Sequence, residues 1–436
     1  MTPAGVRDAP PYGLILPFFL AAPLGLVAAG VMLALAGQDS LTAVNTPELL
    51  AATHAAVLGW LSLSIMGAIF QLGPVLFGGR LFSLGLVRLQ VVLHVTGVAV
   101  MVGAFGAWRT EALAIGGTLT AASFFLFLVL GAFAIRWFVR GHMVRQYASV
   151  ALAFLALTAA FGLTYALALH YGWFPLTMGR IATHAHLGLA GFLAIMLMGL
   201  SYQLVPMFQL SPHAQPRFAR AVLPVMALAV VVFTAAMWAN PGPLVRVAVA
   251  AFLAAGAVFW MADIAVLIHR RSKRAFDIQG RATLVSLGFL ALTLVTGVVA
   301  ASGEPASLAV EHQRLQLGYG ILAVGGWAGA TLVGNSYKIV PFLVWNGRFR
   351  ELIGRQPVPT LAQLLDGRLA HLTLWCLSLA VLLGASSAVA GWLVGLRLAG
   401  VLFAATGTLH FVTQLLVVTR RPQAVPAGMP AKGVTT

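Results

Sequence analysis

The sequence predicts an all-α polytopic membrane protein of about twelve transmembrane helices. Three observations carry this prediction: the composition, the length of the apolar stretches and an internal repeat. Hydrophobic residues make up 60% of the 436 residues and charged residues only 8%, whereas ordinary soluble domains carry about 25% charged residues. This composition excludes a soluble globular protein. A single cysteine, Cys376, excludes a disulfide framework and a thiolate metal cluster.

Apolar stretches long enough to cross about 30 Å of hydrocarbon recur along the whole chain. They lie near residues 12–36, 47–78, 84–107, 111–138, 146–170, 178–208, 218–239, 243–268, 282–302, 315–344, 368–388 and 393–418. Residues 1–436 are therefore expected to form a single transmembrane domain in a lipid bilayer. The first stretch lacks the pattern of a cleavable signal peptide, so we expect it to be retained. The polar break from Asn346 to about Gly367 is expected to lie along the membrane surface.

The formal net charge of +16 does not indicate nucleic-acid binding, because the basic residues are spread over many loops. All but five of the 26 Lys and Arg residues fall on the side of the chain ends, and the five exceptions are Arg109, Arg180, Arg246, Arg314 and Arg397. By the positive-inside bias, both termini are predicted to be cytoplasmic. We expect the protein to reside in a bacterial inner membrane.

An internal repeat relates the second and sixth predicted helices. A constant offset of 132 residues turns His54, Gly67, Gln71 and Pro74 into His186, Gly199, Gln203 and Pro206. A weaker third copy, which ends at Pro341, follows after a further 135 residues. The repeat divides the chain into units of about 12–140, 144–270 and 280–420. It predicts three pseudo-symmetric four-helix units of parallel topology around an axis along the membrane normal.

The histidines on the repeated helices predict a cofactor site. His54 and His186 occupy the same depth on related helices, and two neutral imidazoles that face each other across a gap suit the axial positions of a haem. We therefore expect at least one b-type haem whose iron is bound by His54 and His186. A helix turns about 100° per residue, so His184 points to nearly the opposite side from His186. His184 is a candidate ligand for a second haem or metal ion.

Four further histidines lie at or near membrane depth. For a single histidine of this kind, packing or a helix–helix hydrogen bond is the commoner role. His312 lies near the end of its helix and is a candidate to cap the site, whereas His94 has no evident partner. His371 and His410 are candidates for a second histidine pair that holds a metal at another depth. Lys338 could start a proton path, but it is expected to extend its amine to the lipid headgroups.

The motif His184-x-His186, followed by a Gly-rich apolar run and Tyr202-x-Leu-Val-Pro206, resembles the haem-binding helix of subunit I of haem-copper oxidases. The likeness is strongest to the C-type oxidases and to the large subunit of nitric oxide reductases. The chain also resembles the NnrS group of haem proteins, although it lacks their Trp-His-Ala-His-Glu start. The resemblance implies twelve helices in three arcs, both termini in the cytoplasm and haem b. A basic residue such as Arg180, or Arg109, Arg314 or Arg397, would pair with the haem carboxylates.

The departures from these families change the expected function. The oxidases carry the His-x-His pair on the tenth helix, where this chain has Tyr319 and Ile321, and residues 218–239 contain no histidine. A three-histidine copper site therefore cannot be carried over, which argues against reduction of oxygen to water. The resemblance then implies electron transfer, or nitric oxide binding and detoxification, with a periplasmic c-type cytochrome as partner. Whether the protein is an enzyme, an oxidoreductase, stays open.

Two alternatives belong to other classes. A twelve-helix transporter, or a metal- or haem-handling protein without redox activity, would also carry polar groups at mid-depth and prolines in its helices. The parallel repeat and the scarcity of buried carboxylates for ion coupling argue against a carrier. An assembly subunit that kept the fold without cofactors is the third possibility, and the repeated histidine argues against it.

Overall fold

A computed structural model of the chain describes residues 10–77, 81–136, 142–212, 216–303 and 310–421. These residues are helical or connect helices, and no strand occurs among them. Within these described ranges, twelve helices are long and apolar enough to cross a membrane. They are α1 (Tyr12–Ala34), α2 (Pro47–Val75), α3 (Leu84–Gly106), α4 (Thr110–Ile135), α5 (Met143–Tyr171), α6 (Met178–Gln209), α7 (Phe218–Ala239), α8 (Pro243–His269), α9 (Ile278–Ala300), α10 (Val310–Arg348), α11 (Gly367–Ala390) and α12 (Leu393–Thr419). The predicted all-α membrane protein of twelve helices is confirmed.

The twelve helices define two faces of the molecule. We call the side on which α1 begins and α12 ends the terminal face, and the other side the opposite face. Exposed aromatic side chains cluster at helix ends on the opposite face: Trp108, Tyr171, Trp173, Trp238 and Trp392. Tryptophan and tyrosine concentrate where a membrane meets water, so this belt is consistent with an integral membrane protein.

The sequence repeat corresponds to a repeated packing contact. Gly67 on α2, Gly199 on α6 and Gly334 on α10 each lie against the first helix of the same unit, where they meet Phe18, Tyr147 and Ala282. A second glycine, two turns earlier, repeats the pattern: Gly59 meets Gly25, Gly191 meets Phe154 and Gly326 meets Phe289. A Cβ atom at any of these glycines would collide with or crowd its neighbour. The glycines therefore allow the two helices to approach closely.

Each repeated helix also contains a π-helical segment at the same place. The segments span Ala55–Ser62 in α2, Leu187–Ala194 in α6 and Leu322–Ala328 in α10. They begin directly after His54, after His186 and after Ile321, at the offsets of the sequence repeat. π-helical turns are rare and often occur at functional sites. Contacts between these segments join α2 and α6 to α10 at the centre of the molecule.

The four-helix units are also joined at their outer helices. The pairs α4 with α5 and α8 with α9 are in contact, and α12 packs along α1. In the last pair the backbone of Gly30 lies against Gly400 and Ala404, and Gly407 lies against Pro23. The first and last helices are therefore antiparallel neighbours, and α12 returns to the beginning of the chain.

The polar break between α10 and α11 folds back onto α10. The indole of Trp345 donates a 2.8 Å hydrogen bond to the carbonyl of Pro359. A four-residue helix, Leu361–Leu364, follows and is capped by reciprocal hydrogen bonds between Thr360 and Gln363. This segment therefore contains a short helix close to the terminal end of α10, and its position along a membrane surface stays a prediction.

Candidate functional site

A cavity of about 740 Å³ lies between the repeated helices, in the half of the molecule nearer the opposite face. Pockets for cofactors and other small ligands usually measure about 300–1,000 Å³. Most of the wall is apolar or aromatic, and it includes His54, His184 and His186. No carboxylate occurs among the described residues that line it. Four histidines line it among the described residues: His54, His184 and His186 lie on the repeated helices α2 and α6, and His312 lies at the rim.

His54 and His184 form the central pair of rings. Their ring centres are 6.5 Å apart and their planes differ by 16°. Face-to-face contact would need about 3.5–4.0 Å between atoms, so the two rings are separated by a gap. We expected His54 to be paired with His186; the structure brings His184 to it instead.

The histidine on α2 is held in the tautomer that a metal ligand needs. Nδ1 of His54 donates a 2.7 Å hydrogen bond to the carbonyl of Leu50, one turn earlier in the helix. Its Nε2 therefore carries the lone pair. A backbone partner of this kind is usual for a histidine that binds metal through its other nitrogen.

His184 is positioned by close packing. Its ring lies against Gly162 on α5, where an added Cβ would come within 2.9 Å of the histidine Cε1. The ring of Tyr165, one turn further along α5, contacts it with ring centres 5.8 Å apart. Nδ1 of His184 is buried and has no hydrogen-bond partner among the described residues. A buried nitrogen without a partner is costly, so it is a candidate ligand atom.

His186 and Tyr319 form a second ring pair, between α6 and α10. The ring centres are 5.9 Å apart and the planes differ by 12°. Nδ1 of His186 donates to the carbonyl of Ala182 at 2.9 Å, so Nε2 accepts the hydrogen bond from the Tyr319 hydroxyl at 3.3 Å. Both nitrogens of His186 are therefore engaged, which separates this residue from His54.

The repeat explains why these rings meet in pairs. Ala52, His184 and Tyr319 are equivalent positions, as are His54, His186 and Ile321. In each ring pair, the position of His54 and His186 in one unit meets the position of His184 and Tyr319 in the next unit. The same rule assigns Ile321 to Ala52 at the remaining interface, where no ring is available. The sequence repeat predicted these positions but did not predict which residues pair across the interfaces.

Aromatic side chains close the space beside the two ring pairs. Phe105 lies 4.7 Å from the ring centre of His54, and Phe233 lies 4.4 Å from that of His186. Both line the cavity. Any group bound beside the two histidines would therefore contact an apolar wall on these sides.

The charged residue at the cavity rim is Arg246, which our sequence analysis did not select. Its side chain is only 4% exposed and donates to the carbonyls of Pro241, Ala301 and Gly303. His312, expected to cap the site, also lines the cavity at this rim. The signal that could have identified Arg246 was its place among the five basic residues of the opposite face.

We expected Arg180 to face the cavity, but its side chain lies elsewhere. Its guanidinium donates a 2.6 Å hydrogen bond to the carbonyl of Pro175 and lies over the rings of Phe174 and Trp238. Among the alternatives, Arg397 donates to the carbonyl of Ala36. Neither arginine belongs to the cavity wall. Arg109 and Arg314 are likewise outside it.

The remaining histidines at membrane depth have structural partners. His94 is fully buried and joins Ser123 on α4 to the carbonyl of Leu58 in the first π-helical segment, at 3.0 and 3.1 Å. It therefore holds three helices together. A helix–helix hydrogen bond of this kind is the role expected for a single intramembrane histidine.

The expected metal pair of His371 and His410 is not supported by the geometry. His410 bonds the hydroxyl of Tyr337 through Nδ1 and the amide of Gln414 through Nε2, at 3.1 and 2.8 Å. With both nitrogens engaged, His410 has no lone pair for a metal. His371 donates instead to the carbonyl of Gly367. In the described parts of the chain, no group of three or more His, Cys, Asp or Glu side chains could hold a metal ion.

The distance between the His54 and His184 ring centres can be compared with that across a six-coordinate haem iron, at which each imidazole points a ring nitrogen toward the metal. Two metal–imidazole bonds of about 2.0–2.1 Å put the nitrogens about 4 Å apart, and each ring centre lies about 1 Å beyond its nitrogen. The resulting separation is close to the 6.5 Å between the ring centres. The cavity volume, the apolar wall and the unpartnered Nδ1 of His184 suit the same group.

The sequence matches no known protein-family model and no curated protein.

Proposed function

We propose that the protein is a haem-binding membrane redox protein in which His54 and His184 are the axial ligands of one b-type haem. The observation that carries the proposal is the near-parallel pair of imidazoles 6.5 Å apart inside the central cavity. This assignment replaces the His54–His186 pair expected from the repeat alone, because Nε2 of His186 already accepts a hydrogen bond from Tyr319.

A bound haem would supply a one-electron redox centre. The residues of this chain would bind and orient it: the carbonyl of Leu50 fixes the tautomer of His54, and Gly162 leaves room for the His184 ring. Phe105 would pack against the ring of His54 and hold its orientation. Arg246 at the rim offers positive charge to a carboxylate of the cofactor, in the role first assigned to Arg180.

Electron transfer is the role that two axial histidines favour, because they leave no open position for a gas. The cavity wall includes Asn45 and Trp108 near the opposite face, and Trp108 is 48% exposed. A haem in this half of the molecule would lie close to a redox partner at that face. By the positive-inside bias this face is periplasmic, so a periplasmic c-type cytochrome is the partner we propose.

Nitric oxide handling is the second proposed role, and it requires one axial histidine to leave the iron. His184 is the ring that could leave, because packing against Gly162 and Tyr165 positions it, whereas a hydrogen bond to its own helix anchors His54. A spectral change of the reduced protein on adding nitric oxide would favour this role over simple electron transfer.

The first experiment is a dithionite-reduced minus oxidised spectrum of the purified protein, with a pyridine haemochrome assay on the same sample. We expect sharp α and Soret bands and about one haem b per chain. His54→Ala and His184→Ala should each abolish these bands. His186→Ala should retain them, because Tyr319 holds that ring away from the iron.

His371→Ala is the matched control, since His371 makes the same one-turn hydrogen bond as His54 but lies outside the cavity. It should leave the spectrum unchanged. Loss of the bands in His186→Ala with retention in His184→Ala would restore the pair predicted from the repeat. A wild-type protein without haem bands, after expression with ample haem, would favour the transporter or metal-handling alternative.

A further inference from the structure

Between α9 and α10 in the half of the molecule nearer the terminal face, the two helices meet through polar side chains. We call this set the polar seam, and it consists of Gln279, Thr283, Ser286, Thr331 and Asn335. The amide of Gln279 donates to Asn335 Oδ1 at 3.3 Å and to Thr283 Oγ1 at 3.2 Å. Nearer the centre of the molecule, the hydroxyls of Ser286 and Thr331 are 2.6 Å apart. The seam therefore forms a line of hydrogen-bonding groups along the interface.

The other two units show that helix packing does not require these polar residues. The repeated glycine contacts fix the equivalent positions on the first and second helices of each unit. In the first unit the five seam positions are Ile15, Phe19, Ala22, Ser64 and Ala68. In the second unit they are Val144, Ala148, Ala151, Met196 and Leu200. The one polar residue among these ten, Ser64, bonds the carbonyl of Trp60 in its own helix.

A small cavity of about 20 Å³ lies along the seam, between α6, α8, α9 and α10. A cavity can hold one water molecule when it offers about 10–15 Å³ and two to four polar partners. All five seam residues line this cavity, together with Ser201, Trp260 and Trp327. The cavity therefore has the size and the polarity for an internal water molecule.

An unpartnered donor lies at the same place. Trp327 is 3% exposed, and its indole Nε1 has no hydrogen-bond partner among the described residues. The buried Oε1 atom of Gln209, whose amide donates to Gln279 at 2.6 Å, is also without a described partner. Buried polar groups are normally paired with protein or with water. Trp327 lines the seam cavity, so water in this cavity is a candidate partner for its indole.

The seam begins at an ion cluster on the terminal face. The amines of Lys338 and Lys273 lie 2.5 and 2.6 Å from Oδ2 of Asp277. Side-chain exposure is 32% for Lys338 and 25% for Asp277, so the cluster is in contact with solvent. Lys338 was expected to extend to the lipid headgroups; it turns instead to Asp277, which lies directly before α9. Gln279 is two residues further along the chain.

Toward the centre of the molecule, the polar seam ends at Trp260 and Trp327. The rings of Trp260 and Trp327 pack edge to face with centres 6.5 Å apart. Beyond them, Phe289 and Leu290 fill the interface, and the central cavity begins at Thr293. Ser286 and Thr293 are seven residues apart, which is about 10 Å along a helix. The seam therefore stops one apolar layer short of the central cavity.

We propose that the polar seam is a water-filled inlet, which admits water and protons from the terminal face as far as the indole of Trp327. The ion cluster of Asp277 and its two lysines is its mouth. The five polar residues of the seam belong to the third unit, and residues of α6 and α8 from the second unit complete the wall of the inlet. This inlet goes beyond the proposed redox function and does not depend on whether the central cavity binds haem.

Cysteine accessibility in the full-length, detergent-purified protein tests the inlet. Cys376→Ala provides a background without thiols, because the chain has only this cysteine. Thr331→Cys and Asn335→Cys are then introduced singly and treated with hydrogen peroxide, a water-soluble thiol oxidant close to water in size. We expect both cysteines to react at least tenfold faster than Ser64→Cys, the equivalent position of the first unit. A bulky maleimide should label neither, because the inlet is narrow.

Thr283→Cys and Ser286→Cys repeat the test from α9 if either α10 variant fails to give a monodisperse protein. Reaction rates of the folded seam variants that do not exceed the rate of Ser64→Cys would overturn the proposal. Lys338→Trp should slow oxidation at Asn335→Cys because it obstructs the mouth. An unchanged oxidation rate in that variant would show that water reaches the seam by another way and would overturn the assigned mouth.

Discussion

The imidazoles of His54 and His184 lie 6.5 Å apart with planes only 16° from parallel, although the two residues belong to different repeat units. Their backbones are fixed by helix packing that recurs in each unit, so the gap between the rings is built into the fold. A site that is preorganised in this way loses little entropy when a group binds between its ligands. Three predictions concern the residues that keep the gap and the fold in place.

Gly162→Ala should weaken haem binding without unfolding the protein. The added Cβ would come within 2.9 Å of Cε1 of His184, so the ring must rotate away from its position opposite His54. We expect a reduced haem content or a shift from six- to five-coordinate spectra, measured by optical and electron paramagnetic resonance spectroscopy. Gly103→Ala is the control, because nothing lies within 4 Å of its added Cβ. Equal spectra for the two variants would contradict the placement of His184.

Tyr319→Phe should leave the haem of His54 and His184 in place and lower the stability of the protein. The substitution removes the hydroxyl that donates to Nε2 of His186, and such a hydrogen bond contributes about 1 kcal/mol. We expect an unchanged reduced spectrum and a lower midpoint in thermal unfolding followed by circular dichroism. A changed α band would show that Tyr319 and His186 contact the cofactor, contrary to the proposed ligand pair.

The ion cluster at Asp277 predicts a pH dependence. Burial alone would raise the pKa of this carboxyl, but hydrogen bonds from Lys273, Lys338 and the Gly280 amide outweigh it and lower the pKa to about 2. The unfolded value is about 3.9. Because the folded value is the lower one, the stabilisation is fully present above about pH 4 and is lost as the pH falls toward about 2.

Asp277→Asn should therefore cost about 1 kcal/mol of stability near neutral pH, a modest value because the cluster is partly exposed. The difference from wild type should stay constant from pH 7 to about 5 and narrow below about pH 4, as measured by thermal unfolding. Asp366→Asn is the control, since the described partners of Asp366 are the amides of Arg368 and Leu369. A pH-independent difference for Asp277→Asn would contradict the lowered pKa.

Much of the helix arrangement follows from the sequence because it depends on local properties. Stretches of apolar residues mark the helices, and the constant offset between His54 and His186 marks equivalent positions without any knowledge of tertiary contacts. The pairing of His54 with His184 could not be predicted in this way. It depends on which faces of α2 and α6 meet, and the π-helical segments shift those faces relative to a regular helix.

The contacts of charged side chains could not be predicted from local sequence either. Arg180 is close to the predicted depth, yet aromatic rings and the carbonyl of Pro175 attract its guanidinium away from the cavity. Arg246 reaches the rim because it lies on a different helix, α8. Lys338 and Asp277 are 61 positions apart in the chain, so only the folded structure makes their ion pair visible. Long-range pairing of polar groups is decided by packing rather than by local sequence.

The ring pairs have a direction. The position of His54 and His186 in one unit meets the position of His184 and Tyr319 in the next unit at two interfaces, and the repeat assigns Ile321 to Ala52 at the third. Interfaces of this head-to-tail type can close into a ring. A symmetric trimer of one such unit would line the central cavity with three identical contacts. The present chain has diversified them: one joins two imidazoles, one an imidazole and a phenol, and one is assigned Ile321 and Ala52. One cavity thus acquires three different sides from a single repeated architecture.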